Sequence, residues 1–343
     1  MEMMKMKAGL YISEKNVITG ELEKPIAKEG EALIKVSFAG ICGTDMMIYA
    51  GKHPRANAPL AMGHEFSGVI EEINGDSTFQ VGDRIVVEPT ISCGKCDACL
   101  SGNPHVCKTL GLIGIDWHGG FAEYVTVPLH RLHKVPHYLS DAHAAVTEPV
   151  AVGIHTVRRS NLKVGDTVLI LGAGPIGLLV AMTARLAGAR KIFISDISPY
   201  RLGKAKELGF VALDSSNVDV VEEVREATNG IGADVVFEVA GNNMTANQMI
   251  HACRTQGQIT VVSVYKQPPT IDLAAMHFRE LSLTTTRCYS HSDFSAAIDM
   301  MASGKIDVEP LISHQLSLDE LKKGFELMTN PEESLKVLFQ PSL

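Results

Sequence analysis

The sequence feature that most restricts the fold is a glycine-rich turn, Gly172-Ala-Gly174-Pro175-Ile176-Gly177, between an apolar segment and a helical one. The five residues before it, Thr-Val-Leu-Ile-Leu, are typical of a buried strand, and a helix is predicted from near Pro175. Glycines at this spacing permit a tight turn and a close approach of the backbone, while the helix N-terminus offers N–H groups to a pyrophosphate. The turn therefore predicts a dinucleotide site on a parallel sheet.

An acidic residue follows at the position that such a site requires. The next predicted strand, residues 191–195, ends at Asp196, which lies 24 positions after Gly172. A carboxylate there accepts hydrogen bonds from ribose hydroxyls and repels a 2′-phosphate, so it favours NAD over NADP. The alternative is a structural glycine turn with Asp196 merely solvated.

The pattern of apolar residues changes along the chain. Up to about residue 150, short β-like runs alternate with turn signals, whereas from about residue 165 apolar strands alternate with helical periods. This pattern predicts a mostly-β domain followed by a doubly wound parallel sheet, an α/β fold. The tail adds predicted helices at 293–303 and 318–328 and a closing strand at 336–339.

The composition excludes some classes of protein. Of 343 residues, 45% are hydrophobic and 20% charged, which argues against disorder. With 31 Lys and Arg against 39 Asp and Glu, the net charge of −8 argues against nucleic acid and anionic membranes as partners. The uncharged stretch 167–184 is interrupted by glycines and is interpreted as strand, turn and helix. The first residues have no apolar run of signal-peptide length, so a cytoplasmic location is expected.

Four of the seven cysteines, Cys93, Cys96, Cys99 and Cys107, lie within 15 residues. Four thiolates at this spacing can fill all positions of a tetrahedral zinc ion, which predicts a structural zinc site. An iron–sulfur cluster, reduced thiols and a zinc-ribbon module for nucleic acid are the alternatives. The acidic charge balance argues against the last of these.

A second set of metal-ligand side chains is dispersed along the chain. It consists of Cys42 in Gly-Ile-Cys-Gly-Thr-Asp, the neighbours His64 and Glu65, and Glu148. A thiolate, an imidazole and a carboxylate would leave a fourth position open, as a catalytic zinc requires. Each residue alone is more often part of a core, and spacing does not show that they converge.

Taken together, these motifs carry a family likeness. The segments Gly63-His64-Glu65-Phe-Ser-Gly68 and Gly119-Gly-Phe-Ala-Glu-Tyr124, with the four-cysteine segment and the glycine turn, resemble zinc-dependent medium-chain dehydrogenases. The chain is most similar to the branch containing sorbitol, galactitol-phosphate, galactonate and L-threonine dehydrogenases. The resemblance implies a GroES-like catalytic domain over 1–150 with a structural-zinc lobe at 90–110, a Rossmann NAD-binding domain over 151–290, and a return to the catalytic domain over 291–343.

The resemblance also implies roles for individual residues. Cys42 and His64 would bind the catalytic zinc, with Glu65 or Glu148 as the third protein ligand, and Asp45 would orient His64. Thr44 would take the proton of the substrate hydroxyl. The implied cofactor residues are Gly172, Gly174, Pro175, Ile176, Gly177, Asp196 and Arg201 for the adenosine and pyrophosphate half, and Val262, Val264, Thr286 and Arg287 for the nicotinamide half.

The chain departs from the L-threonine dehydrogenase pattern at one position. Many relatives have a histidine three residues after the threonine of Cys-Gly-Thr-Asp, whereas this chain has Met47. The proton would then leave through Thr44 and water, or through Glu148.

The expected function is oxidation of a secondary alcohol on a polyol, sugar acid or related hydroxy compound, with two zinc ions per chain and NAD as hydride acceptor. L-Threonine or butanediol dehydrogenase activity is the nearest alternative, and a catalytically silent protein that binds NAD and zinc is an alternative of another class. The expected partners are a small-molecule substrate and further copies of the chain, as a homodimer or homotetramer built partly by edge strands within 258–287.

Overall fold

The computed structural model describes residues 4–330 and 332–343. The chain divides into two compact units. The first unit runs to Glu148 and resumes with Ser290–Leu343, and the second is Pro149–Tyr289.

The N-terminal part of the chain is mostly β-structure. Its strands are β1 (Lys5–Ser13), β2 (Asn16–Glu23), β3 (Glu31–Gly40), β4 (Leu60–Ala61), β5 (Glu65–Asn74), β6 (Arg84–Val87), β7 (Thr90–Ile91), β8 (Gly111–Leu112), β9 (Tyr124–Pro128) and β10 (Leu132–Lys134). Its helices are α1 (Gly43–Tyr49), α2 (Asp97–Leu100), α3 (Asp141–Ala144) and α4 (Thr147–Arg158).

Strands and helices alternate in the second unit. They are β11 (Thr167–Leu171), α5 (Pro175–Leu186), β12 (Lys191–Asp196), α6 (Pro199–Glu207), β13 (Val211–Asp214), α7 (Val220–Glu226), β14 (Ala233–Glu238), α8 (Asn243–Ala252), β15 (Cys253–Val261), α9 (Leu273–His277) and β16 (Ser282–Thr285). The tail then contributes α10 (His291–Ala302), β17 (Ile312–Ser317), α11 (Leu321–Thr329) and β18 (Lys336–Gln340).

The main sheet of the first unit joins both ends of the chain. Its order is β10-β6-β5-β3-β18-β17, with β9 also paired to β3. The tail strand β18 pairs antiparallel with β3, with Phe339 opposite Ala39. Phe339 and Phe325 from the tail pack around Phe121, their ring centroids 5.2 and 6.2 Å from its own. The tail therefore completes the sheet and the core of the N-terminal part.

The second unit is a single parallel sheet in the order β13-β12-β11-β14-β15-β16. The order reverses between β11 and β14, and ligands of such sheets bind beyond the carboxyl ends of the strands at that point. All five residues of β11 are buried, as expected of a strand covered on both faces. The predicted fold class, a mostly-β domain with a doubly wound parallel sheet, is confirmed.

Some predicted elements differ from the observed ones. The hairpin of β1 and β2 has no clear turn motif and was not predicted. The strand predicted at 258–264 ends at Val261, and the helix predicted at 318–328 begins with a 3₁₀ turn, Leu318–Glu320. The uncharged stretch 167–184 forms β11 and most of α5, and no helix in the described part of the chain is long and apolar enough to cross a membrane.

Candidate active site

Cys42, His64 and Glu65 come together in the first unit. One potential ligand atom from each lies within 4.8 Å of the others, and His64 and Glu65 are buried. The pairing of β3 with β5 explains this convergence, because it sets Gly40 opposite Glu65 and so brings Cys42, two residues beyond the strand, beside the start of β5. A sulfur, an imidazole and a carboxylate within this distance form a ligand set that suits zinc.

The glycine motifs around the site are explained by close packing of backbone. Gly63 has a φ of +89°, and a Cβ there would lie 2.6 Å from the Phe121 ring. A Cβ at Gly119 would clash with the carbonyl oxygen of Gly63, which accepts a hydrogen bond from the N–H of Gly120. The two motifs are therefore packed directly on each other, and together they fix the backbone that carries His64.

Asp45 supports both metal-ligand segments. Its carboxylate accepts hydrogen bonds from the N–H of Cys42 at 2.8 Å and of Gly63 at 3.3 Å, and it lies 3.7 Å from Nδ1 of His64. As the third residue of α1 it also caps that helix, so the carboxylate that caps α1 is the one that lies beside the imidazole of His64.

The charges of this pocket favour a cation beside the imidazole. Burial opposes protonation of His64, but the neighbouring Cys42, Asp45 and Glu148 outweigh it and raise the pKa of His64 well above its usual range. A pocket that attracts a proton to a buried imidazole provides the same attraction for a divalent cation. The side chains present therefore fit a bound zinc ion.

A buried lysine pairs with the candidate ligand Glu65, although no motif in the sequence marks it. Nζ of Lys336 lies 2.6 Å from Oε2 of Glu65 and donates to the carbonyl of Ile41 at 3.1 Å. Burial lowers the pKa of Lys336, but Glu65, Cys42 and Glu148 outweigh it, so the ammonium form is favoured. Oε1 of Glu65 has no hydrogen-bond partner among residues 4–330 and 332–343, which leaves this oxygen available to a metal ion.

Glu148 and Thr44 complete the predicted catalytic set. Glu148 lies in the first turn of α4, is only 8% exposed, and contributes to the pKa shifts of His64 and Lys336. Oγ1 of Thr44 lies 3.9 Å from Sγ of Cys42, on the first turn of α1. Met47 lies farther along the same helix and offers no proton-transfer group.

The four-cysteine lobe has the dimensions of a single-metal site. Sγ of Cys96 lies 3.5 Å from Cys99 and 3.8 Å from Cys107, and Cys93 lies 4.0 Å from Cys99. Four sulfurs at about 2.3 Å from one zinc ion would be about 3.8 Å apart. Backbone N–H groups of Lys95 and Cys96 lower the pKa of Cys93 to about 6, so its thiolate forms readily. The geometry fits zinc, as predicted.

In the second unit, the glycine turn lies between β11 and α5. A Cβ at Gly177 would be in hard contact with the carbonyl oxygen of Gly172, whose φ is +112°. Gly174 is the N-cap of α5, and a Cβ there would have its nearest neighbour 3.8 Å away, on Arg201, so the space in front of the helix is open. Pro175 and Ile176 form the first turn of the helix. The open space beside Gly174 leaves room for a pyrophosphate at this N-terminus.

Asp196 ends β12 beside this turn. Its carboxylate accepts hydrogen bonds from the N–H groups of Ala173, Ile197 and Ser198 at 2.8 to 3.0 Å. Arg201 lies 4.0 Å from the same carboxylate. Asp196 thus holds the glycine turn in place and keeps a negative charge at the end of β12.

The residues assigned to the nicotinamide half also lie at the carboxyl ends of strands. Val262 and Val264 follow β15, and Thr286 and Arg287 follow β16. Oγ1 of Thr286 is buried and finds no hydrogen-bond partner in the described part of the chain. These four residues occupy the same edge of the sheet as the glycine turn, where a dinucleotide would bind.

Glu238, which no motif predicted, connects two loops at this edge of the sheet. It ends β14, is fully buried, and accepts hydrogen bonds from the N–H groups of Ala240 and Gly241 at 3.0 and 2.7 Å. It also accepts from the hydroxyls of Thr245 and Ser263. The carboxylate therefore connects the loop after β14 to the loop after β15.

Comparison with known proteins agrees with these features. Residues 28–137 match the alcohol dehydrogenase GroES-like domain, and residues 175–303 match the zinc-binding dehydrogenase family. The chain is 39% identical to the 2-dehydro-3-deoxy-L-galactonate 5-dehydrogenase of Pseudoalteromonas atlantica, over 98% of each chain.

Two solved structures have nearly the same fold. The 2R,3R-butanediol dehydrogenase of Bacillus subtilis has a TM-score of 0.92 and 34% identity, covering 98% of this chain and 99% of the other. A chain from Sinorhizobium meliloti 1021 described as a zinc-binding dehydrogenase, bound to NADP, has a TM-score of 0.92 and 35% identity, covering 98% and 100%. The resemblance inferred from the motifs is confirmed, and the chain belongs to the zinc-type medium-chain alcohol dehydrogenase superfamily.

Proposed function

We propose that this protein oxidises a secondary alcohol of a polyol, sugar acid or related hydroxy compound and transfers the hydride to NAD. The observation that carries the proposal is the convergence of the half-buried Cys42 with the buried His64 and Glu65, in a chain that also has a complete glycine turn with Asp196. The relative that acts on a galactonate derivative supports the substrate class.

In this proposal each candidate site residue of the first unit has a defined role. Cys42 and His64 would hold the catalytic zinc with Glu65 or Glu148, and Asp45 would keep the imidazole of His64 in its binding orientation. Zinc bound there would polarise the substrate hydroxyl and lower its pKa. Thr44 accepts the hydroxyl proton, while the C–H hydrogen leaves as hydride to NAD, giving a ketone and NADH.

The onward route of the proton differs from the one that a histidine would provide. The thioether of Met47 is not a proton acceptor at neutral pH, so α1 offers no imidazole three residues after Thr44. We propose that the proton leaves through Thr44 and water, or through the carboxylate of Glu148.

The function is tested by NADH formation with a panel of polyols, hexonates, sugar phosphates, butanediol and L-threonine. Turnover of one class that stops after chelation supports the proposal and identifies the substrate class. Turnover of L-threonine or butanediol alone would favour the nearest alternative. Absence of turnover across the panel, with zinc and NAD both bound, would favour a catalytically silent protein.

Cofactor preference is expected to depend on Asp196. Asp196→Ala removes the charge that would bind the ribose hydroxyls, so we expect kcat/KM for NAD to fall about 10- to 100-fold, because a hydrogen bond to a charged group contributes about 1.5–3 kcal/mol. Activity with NADP should rise relative to NAD, and steady-state kinetics with both cofactors measure the ratio. Asp196→Asn is the control for lost hydrogen bonds to the loop, because it removes the charge but keeps an oxygen that can accept from the loop N–H groups. An unchanged NAD to NADP ratio in both variants would contradict the assignment.

We propose that the protein is a homodimer or homotetramer. The outer strand of the parallel sheet, β16, is largely exposed, with its own Leu283 at 42%, and Leu273 and Phe278, which precede it in the chain, are 70% and 83% exposed. An exposed edge strand with apolar neighbours is a template for pairing. Sedimentation should give at least a dimer, and Leu283→Lys should shift it toward monomer. A monomeric wild-type protein would overturn the proposal.

A cytoplasmic location is proposed on separate grounds. No disulfide bond links any of the seven cysteines, all of which lie in the described part of the chain, and this fits a reducing compartment.

A further inference from the structure

A third cluster of metal-ligand side chains lies in the first unit and shares no residue with either zinc site. It consists of Glu88, His133 and His291, with one ligand atom from each within 4.8 Å of the others. Oε2 of Glu88 lies 2.8 Å from Nδ1 of His291 and 3.3 Å from Nε2 of His133. We propose that this cluster is a third binding site for a divalent metal ion of the zinc class.

The ligand types and separations carry the proposal. Two imidazole nitrogens and one carboxylate oxygen form a three-ligand set that zinc accepts, with at least one position left for water. Ligand atoms on one tetrahedral zinc ion, with bonds of about 2.0–2.1 Å, are about 3.3 Å apart. The separations from Oε2 of Glu88, 2.8 and 3.3 Å, are close to this value.

The cluster is preorganised on one side. Glu88 follows β6 and His133 belongs to β10, which pairs with β6, so two of the three ligands are carried by neighbouring strands. The other oxygen of Glu88, Oε1, accepts hydrogen bonds from Arg131 at 2.7 Å and from Thr90 at 3.2 Å. These contacts orient the carboxylate as the supporting partners of a metal ligand do, and leave Oε2 to face the two imidazoles.

His291, the third proposed ligand, makes the cluster accessible to ions in solution. Glu88 and His133 have side chains only 3% and 9% exposed, whereas the His291 side chain is 64% exposed. His291 is the first residue of α10, immediately after the chain re-enters the first unit at Ser290. A bound ion would therefore tie the start of α10 to the β6–β10 strand pair.

The charge beside the cluster limits its affinity for a cation. Arg131 is the one fixed positive charge in contact with it among the described residues. We therefore expect the cluster to bind zinc less tightly than the four-cysteine site does, and to exchange its ion with the solution.

The test is equilibrium dialysis of the full-length protein, with its other zinc sites loaded, against Zn²⁺ at pH 7.5, with metal content measured by mass spectrometry. We expect three equivalents per chain in the wild type. His291→Ala should bind two and lose affinity for the third by more than roughly tenfold, since removing even a supporting partner costs 10- to 100-fold.

The matched control is His143→Ala. His143 lies 2.6 Å from Glu309 in the same unit, at a partly exposed position, and so offers a His–Glu pair without a second imidazole. This variant should keep three equivalents. The same metal content in the wild type and in His291→Ala, whatever the total, would show that the cluster is only a hydrogen-bonded ion pair and would overturn the proposal.

Discussion

Replacing Cys42 by serine is expected to lower kcat/KM by about 10³-fold or more, because the catalytic metal supplies several kcal/mol of transition-state stabilisation and each 1.36 kcal/mol is tenfold. The change removes the thiolate from the Cys42, His64 and Glu65 set. It leaves the glycine turn and the four-cysteine lobe untouched, so NAD affinity and the metal content of the lobe should remain. Steady-state kinetics, NAD titration and metal analysis measure the three quantities.

Cys253→Ala is the matched control. Burial raises the pKa of the Cys253 thiol to about 12, and this cysteine belongs to the second unit and to neither ligand set. Its replacement should leave turnover within a few-fold of the wild type. Full activity in Cys42→Ser would show that Cys42 is not a ligand of the catalytic metal.

Lys336→Met is expected to reduce the free energy of unfolding by about 3–5 kcal/mol in the metal-free protein, because it leaves the carboxylate of Glu65 buried without its ion partner. Both members of the pair are almost fully buried, at 4% and 1% side-chain exposure. Denaturant unfolding measures the loss. In the zinc-loaded protein the loss should be smaller, since a cation at Oε1 would compensate the same charge.

Lys7→Met supplies the comparison, since Lys7 forms an ion pair of similar length, 3.0 Å, with Asp319 at the surface. Exposed pairs contribute about 0–1 kcal/mol, so this variant should be close to neutral. Equal effects of the two lysine substitutions would contradict the role assigned to the buried pair. The double variant Glu65→Gln/Lys336→Met should recover most of the stability, because it removes both charges together.

The parts of the molecule that depend on local sequence were predictable. The turn from β11 to α5 has its glycines, its buried strand and its helix start within about twenty residues, and the four cysteines lie within one short lobe. In both cases the spacing of neighbouring residues indicates the type of site, because the residues that form it are close together in the sequence.

The contacts made by distant segments were not predictable in the same way. Lys336 and Glu65 are 271 positions apart, and only the pairing of β18 with β3 and of β3 with β5 brings them together. The same pairing explains the convergence of Cys42 with His64, which the motifs implied only through the family resemblance. Glu238 escaped prediction because a single acidic residue at the end of an apolar strand carries no pattern of its own.

The choice between Glu65 and Glu148 as third ligand depends on distances that a sequence does not contain. Glu65 lies within 4.8 Å of the other two ligand atoms and keeps Oε1 available, while Oε2 is bound to Lys336. Glu148 lies close enough for its charge to raise the pKa of His64. Both carboxylates therefore remain predictions for the metal site.

The most direct test of the central claim is reversible removal of the catalytic metal. The protein is dialysed against a chelator until the zinc of the Cys42 site is lost, and NADH formation is followed with the alcohol that the panel identifies. We predict that activity falls in proportion to the metal lost from the Cys42 site and returns when Zn²⁺ is added, but does not return in Cys42→Ser. Undiminished NADH formation by the metal-depleted protein would contradict the assignment of this chain as a zinc-dependent alcohol dehydrogenase.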